Sequence, residues 1–390
     1  MAASAIEDEP LSLSTTQHTF DAQFHPREPL LAAATITGAV ELHRFDLSEK
    51  TSELVRSLEC HKGSCRAARF LVGGSSGSKE AAAPRLATAS ASCFTAVTDI
   101  ESGKKLWKAK LRAAGNTLIA LDEQRFVVGD DDGGVTLYDV RQKKAAVCYE
   151  ENSDFISDFA RGKDEHTLCA TSGDGTLAVY DLRKSGTKGL VAMSDFQDDE
   201  YLSLDIVRNG TKVVCGSQTG PLAIFSWGDF GDLKDRVRGH PMSVDALIKI
   251  SEDGILTGSS DGKVRVVSIY SKELGNAVLG ICADHGEYPI EQLTLSPCQE
   301  FFASVSHEQP AVRIWSLGMA RRFLAGEVPG QAGAKEQDEG EPDSDDSDDS
   351  DAPKGKKKQP KKKRKKGGAI VGSGKTHAQR QAASSFFSGL

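Results

Sequence analysis

The chain has no long hydrophobic run. Nowhere does it reach the ~18 consecutive apolar residues of a membrane-spanning helix, and its opening, MAASAIEDEP, is acidic where a secretory signal would be basic and then apolar. Those two gaps predict a protein of the cytosol or nucleus that does not work in a membrane. Cysteine is present but without pattern: the eight stand at 60, 65, 93, 148, 169, 215, 282 and 298, with no CxxC pair and no HxxxH companion. A zinc cluster needs closely spaced ligand pairs, and Cys60, His61 and Cys65 make only a partial set. Reduced cysteines packed as small hydrophobes are expected instead. No GxSxG, no metal-ligand spacing and no nucleophile paired with a base emerges, so no catalytic centre, cofactor or small-molecule substrate is expected. VGSGKT (371–376) falls short of a phosphate loop, because position 369, where the first Gly belongs, is Ala and lysines and glycines precede it in place of a strand.

What is plentiful is glycine, at 38 residues, and charge that is unevenly placed. Residues 336–390 hold 10 acids and 12 bases, which leaves the first 335 residues with 46 acids and 36 bases, a net of -10. An acidic body is a poor general binder of nucleic acid, since phosphate affinity comes mostly from neutralising cations.

The glycines mark a repeat. Small polar residues, a turn Gly and alternating apolar residues ending at an aromatic and an acid or Ser recur as ATITGAVELHRFD (34–46), ASASCFTAVTD (89–99), VGDDDGGVTLYD (128–139), TSGDGTLAVYD (171–181), GSQTGPLAIFS (216–226), GSSDGKVRVVS (258–268) and SVSHEQPAVRIWS (304–316). Aligned at the turn, Gly38, Cys93, Gly133, Gly175, Gly220, Gly262 and Pro310 form one column with intervals of 55, 40, 42, 45, 42 and 48 residues. That is close to the ~40–45 residues of a four-stranded WD blade. The long interval contains GGSSGSKEAAAP (73–84), an inserted surface loop by composition. Asp-Gly at 132–133, 174–175 and 261–262 supplies the positive φ of a tight hairpin turn, and a short apolar segment upstream of each hairpin supplies an inner strand. His61, His240 and His285 precede three of those segments and are read as buried hydrogen-bond partners within a blade.

Seven units of equal period bury both faces of every sheet only when closed in a ring. The expected fold is all-β: a seven-bladed WD-repeat β-propeller over 19–325, an N-terminal segment 1–18 and a disordered tail from 326 to 390. LSLST (11–15) can close the ring by pairing into the last blade, with MARRFL (319–324) as the alternative edge strand.

From FHP (24–26) to RIW (313–315) the chain resembles the WD repeat-containing protein 55 family, most specifically in TSGDGTLAVYDLR (171–183) and FSWGDFGDLKDRVRGHPMSVD (225–245). The resemblance implies a non-catalytic nucleolar scaffold that supports rRNA production and large ribosomal subunit assembly. The sequence departs from the WD pattern where copies one, two and six carry His43, Thr98 and Val267 at the usual Trp position, which predicts less regular blades there.

Between Glu336 and Asp351 ten of sixteen residues are acidic, and between Lys354 and Lys366 ten of thirteen are basic. Such a segment cannot bury enough apolar surface to fold alone. Lys356, Lys357, Lys358, Lys361, Lys362, Lys363, Arg364, Lys365 and Lys366 are the candidate contacts to a nuclear import receptor and to rRNA, PKKKRKK (360–366) resembling a monopartite import signal. Ser344, Ser347 and Ser350, set among acids, are candidates for phosphorylation. Phe386 and Phe387 suggest a docking peptide.

On the body, LYDVR (137–141) and VYDLR (179–183) resemble the WDxR box by which some propellers attach to the adaptor of cullin–RING ubiquitin ligases, with Arg141 and Arg183 as contacts. Asp154, Tyr201 and Met242, read as preceding the innermost strands, are candidates for a rim that holds pre-ribosomal proteins. The two functional expectations are thus a ribosome-assembly scaffold and, as the alternative, a ligase substrate receptor.

Overall fold

The computed structural model describes residues 9–71 and 84–327. Within them the chain forms seven antiparallel sheets of four strands each. The first strand of every sheet neighbours the first strands of the sheets on either side, so the seven surround a common axis and make a seven-bladed β-propeller. Blades one to six span 19–59, 65–110, 115–149, 156–193, 201–237 and 244–284. The seventh takes three strands from 292–316 and its outermost from Leu11–Ser14, where Leu11 lies opposite Ile314 and Leu13 opposite Val312. The alternative edge, 319–324, is instead part of a helix, Gly318–Leu324. With the sheet edge already taken by Leu11–Ser14, this segment buries Ala320 and Phe323 against the core between blades six and seven.

The core is divided among the gaps between blades. Seven hydrophobic clusters each join two neighbouring sheets, because period-two alternation sends successive apolar side chains to opposite faces. Leu86 packs with blade one and its neighbour Ala87 with blade three. Val213 packs towards blade four and Val214 towards blade six. The cluster that closes the ring contains Leu11, Leu13, Leu31, Val305 and Ile314.

The turn column is fixed twice over. Gly175 has φ +78°, and a Cβ there would lie 2.3 Å from the Gln197 carbonyl oxygen of the loop leading to the next blade. The same turn-on-loop packing recurs at Gly38, Gly133, Gly220 and Gly262. Hairpin turns and inter-blade loops therefore share one face of the disc, hereafter the loop face. Cys93 holds the equivalent position in blade two at φ 59° without the freedom of glycine.

Three blades carry a buried polar lock. His61 Nε2 lies 2.8 Å from Thr88 Oγ1, His240 Nε2 2.8 Å from Thr257 Oγ1, and His285 Nε2 2.7 Å from Ser304 Oγ. In blade seven the Trp315 indole also donates to Ser304 Oγ at 2.7 Å. Burial drives all three imidazoles down to about 4.

Candidate interaction surfaces

On the face opposite the loop face, Arg141 and Arg183 stand at the ends of the third strands of blades three and four. Each is gripped by the aspartate two residues before it. Arg183 Nε and Nη2 donate to Asp181 Oδ1 and Oδ2 at 2.8 and 2.9 Å, and Arg141 Nε and Nη2 donate to the Asp139 carboxylate at 2.9 and 2.5 Å. The aspartates are buried while the arginine side chains are 65% and 62% exposed at 141 and 183. The Arg183 guanidinium beside Asp181 holds its carboxyl well below the usual carboxylate range. Two oriented cations on adjacent blades thus project from one face, pre-set by partners that cannot leave the fold.

The loop face brings together two of its three sequence candidates. Met242 is half exposed, and Asp154 is exposed with Oδ1 accepting the Phe155 N–H at 2.8 Å. Tyr201 does not belong there. Only 2% of it is exposed, and its ring packs edge-on against Phe225 in the core between blades four and five. It is the first residue of its strand, and that position is directed inwards in six of the seven blades: Thr19, Cys65, Gly115, Ile156 and Val244 are likewise buried, while blade seven opens its inner strand with the half-buried Gln292. The sequence reading passed over Phe196 and Tyr288, which are 67% and 41% exposed on loops of this face, and over the acids Asp245 and Glu291. The signal was available: Met242 and Tyr288 each stand three residues ahead of one of those acids.

Around the axis a cavity of about 310 Å³ is lined by Arg69, Asp158, Arg161, Asp205 and Gln292 among others. Polar groups of the inner strands stitch the ring. Asp21 Oδ2 accepts the Ala68 N–H at 2.8 Å, Asp158 Oδ2 that of Leu204 at 3.1 Å, and Asp205 Oδ2 that of Lys249 at 2.8 Å, each on the next blade. Gln292 Nε2 donates to Asp21 Oδ1 at 2.8 Å and so spans the closure. Desolvation pushes the Asp158 carboxyl up to about 7. These side chains answer neighbouring backbone groups, which is a structural duty. Among the described residues no group of three or more His, Cys, Asp or Glu side chains is placed to hold a metal ion, and no helix is long and apolar enough to cross a membrane.

The other sequence candidates, Lys356, Lys357, Lys358, Lys361, Lys362, Lys363, Arg364, Lys365 and Lys366, the serines Ser344, Ser347 and Ser350, and Phe386 and Phe387, lie outside the described residues, as does nearly all of the 73–84 insertion.

Comparison with known proteins agrees with this architecture. The WDR55 family model matches residues 10–319, the whole ring from its closing strand to its last blade. The WD repeat-containing protein 55 of Arabidopsis thaliana is 39% identical over 77% of this chain and 80% of its own length. The WD repeat-containing protein JIP5 of Coprinopsis cinerea is 35% identical over 77% and 72%, and the WD repeat-containing protein 55 of Homo sapiens 30% over 83% and 80%. WD-repeat propellers are protein-interaction scaffolds and are generally non-catalytic. The chain belongs to the WD repeat-containing protein 55 family.

Proposed function

We propose that this protein is a nucleolar scaffold without catalysis of its own, supporting rRNA production and large ribosomal subunit biogenesis. In this reading the propeller holds pre-ribosomal proteins on its rims. The tail supplies the nuclear address and electrostatic attraction to rRNA. The observation that carries it is the charge division of the chain: a body of net -10 joined to a segment with ten cations in thirteen residues. Such a segment releases counterions on single-stranded RNA with a log-affinity slope of about -0.7 per phosphate neutralised. Affinity purification of the tagged protein tests the reading. Recovery of ribosome-assembly factors, together with loss of nuclear residence and of salt-sensitive RNA binding on deletion of 354–366, supports it. A deletion protein that still concentrates in nucleoli would move the address to the propeller.

A second reading rests on the gripped arginines. Arg141 and Arg183 have the exposure and fixed direction that a ligase adaptor would need, which makes the protein a substrate receptor of a cullin–RING ligase. The pair Arg141→Ala and Arg183→Ala takes from the buried Asp139 and Asp181 their guanidinium partners, so some loss of stability is expected, and adaptor binding, compared at equal folded fraction from urea unfolding, should fall beyond it. Adaptor binding that is absent from the wild type, or unchanged in the variant, removes this reading.

A further inference from the structure

We infer that the loop face over blades six and seven is a docking site for an extended peptide segment of a partner protein, one that carries a lysine or arginine flanked by apolar residues. The inference rests on the scaffold reading and gives it a place and a chemistry.

Asp245 is the second residue of the inner strand Val244–Lys249 and Glu291 immediately precedes the inner strand Gln292–Leu295, both at the loop-face end of two adjacent blades. Asp245 Oδ2 accepts the hydroxyls of Ser243 and Ser260 at 2.8 and 2.7 Å. Glu291 Oε2 accepts the His307 N–H at 2.6 Å and lies 3.2 Å from His307 Nδ1. Burial holds that imidazole down to about 4, so it is neutral and does not balance the carboxylate. Among the described residues no lysine or arginine pairs with either acid, although acids elsewhere on this face are matched, as Asp131 is by Arg66 at 2.8 Å and Asp261 by Arg265 at 2.5 Å. Burial, and for Glu291 the neighbouring Asp245, push both carboxyls up, that of Glu291 to about 7. Two half-buried acids on adjacent blades, with no lysine or arginine partner to offset their ionisation, are costly to charge, and an incoming cation favours their ionised forms.

The second observation is independent of charge. Met242 and Tyr288, 50% and 41% exposed, stand on the loops that lead into these same two inner strands, each three residues ahead of its acid. An adaptable thioether and an amphipathic ring, exposed on the loops that precede the two acids, supply the apolar part of a recognition surface. Acid beside apolar surface fits a basic–apolar peptide and repels RNA.

A phage-displayed library of random twelve-residue peptides, selected on the immobilised full-length protein, tests the proposal. Enriched peptides should carry Lys or Arg next to apolar residues. A synthetic peptide from that set should bind the pair Asp245→Asn and Glu291→Gln about tenfold more weakly, and Met242→Ser with Tyr288→Ser should also lose affinity. Because the amide pair removes an unbalanced charge, its thermal midpoint should be no lower than that of the wild type, which separates lost binding from lost folding. Enrichment of peptides without a cation, equal binding by the amide pair, or no enrichment at all would overturn the site. If those outcomes came while affinity purification still recovered assembly factors, the scaffold reading would stand and only this surface would fall.

Discussion

Blades two, six and seven differ from blades one, three, four and five in how their interiors are pinned. At one equivalent position of the second strand the first group has Thr88, Thr257 and Ser304, each bonded to the histidine of the preceding loop. The second group has Ala33, Val128, Ala170 and Cys215 there, all buried and apolar. Blade four makes a different lock: the Tyr180 hydroxyl donates to Asn152 Oδ1 at 2.7 Å and Asn152 Nδ2 donates to Thr176 Oγ1 at 3.1 Å. Histidine and hydroxyl therefore appear together or not at all. A buried imidazole without a partner is costly, and so is a buried hydroxyl, and each makes the other tolerable. The ring is held throughout by apolar packing, and the polar locks are additions confined to certain blades.

Within the locked group, blade seven should be the most sensitive. Trp315 stacks on Phe302 with ring centroids 6.5 Å apart and donates to Ser304, whereas blade six has Val267 in that column. Trp315→Ala is expected to cost about 4 kcal/mol, against about 2 kcal/mol for Val267→Ala, both read from urea unfolding. Similar costs would mean that blade seven collapses around the gap and that the indole adds little to its lock.

A smaller effect divides the two groups by pH. His285→Gln should cost about 2 kcal/mol near pH 7.5, because Ser304 loses one of its two buried partners and keeps only the Trp315 indole. The sign with pH follows from the imidazole lying at about 4 when folded and near 6.5 when unfolded. Between those values the unfolded chain holds the extra proton, so wild-type stability from this group is full above pH 6.5 and is lost as pH falls towards 4. The gap between wild type and variant should thus narrow over that window. Asp158, raised to about 7, runs the other way, its carboxylate weakening the fold as pH rises from about 4 to 7. For this reason the variant difference is the quantity to measure, not the total pH curve. In blade four, Tyr180→Phe removes the hydroxyl bonded to Asn152 and should cost about 1 kcal/mol. That cost should be the same at pH 5 and pH 8, since the phenol stays neutral throughout. A pH-dependent difference at Tyr180, or a constant one at His285, would erase the distinction between the two kinds of lock.

The sequence made the ring legible through local chemistry. Asp-Gly turns and period-two alternation are decided within a few residues, so the blades could be counted and the histidines at 61, 240 and 285 read as buried partners. What needed three dimensions was less legible. Tyr201 looks like a rim residue if it precedes its inner strand, but it is the first residue of that strand and turns into the core. Asp245 and Glu291 lie 46 residues apart, and only the ring sets blades six and seven side by side so that one acid stands in the field of the other. His43, Thr98 and Val267 at the Trp column suggested less regular blades, and blades one, two and six, though each a full four-stranded sheet, pair their third and fourth strands with register shifts, three of them in blade six.

The smallest expected effect lies in the turn column, where blade two keeps the positive φ of the five glycine turns without the glycine. Cys93 sits at φ 59°, a conformation that costs a residue with a Cβ about 1 kcal/mol. Its side chain recovers part of that by packing, half-buried, against the cluster between blades two and three. Cys93→Gly removes the backbone strain, gives up the sulfur's packing and makes the unfolded chain more flexible. The balance should be a gain of about 0.5 kcal/mol or less, seen as a small rise in the urea midpoint with an unchanged slope. Gly175→Ala is the contrasting change, because the added Cβ would meet the Gln197 carbonyl oxygen as well as the positive φ, and it should lower the midpoint. If Cys93→Gly also lowers the midpoint, the thiol's packing outweighs the strain of the turn, and blade two has adapted to a residue that the other turns exclude.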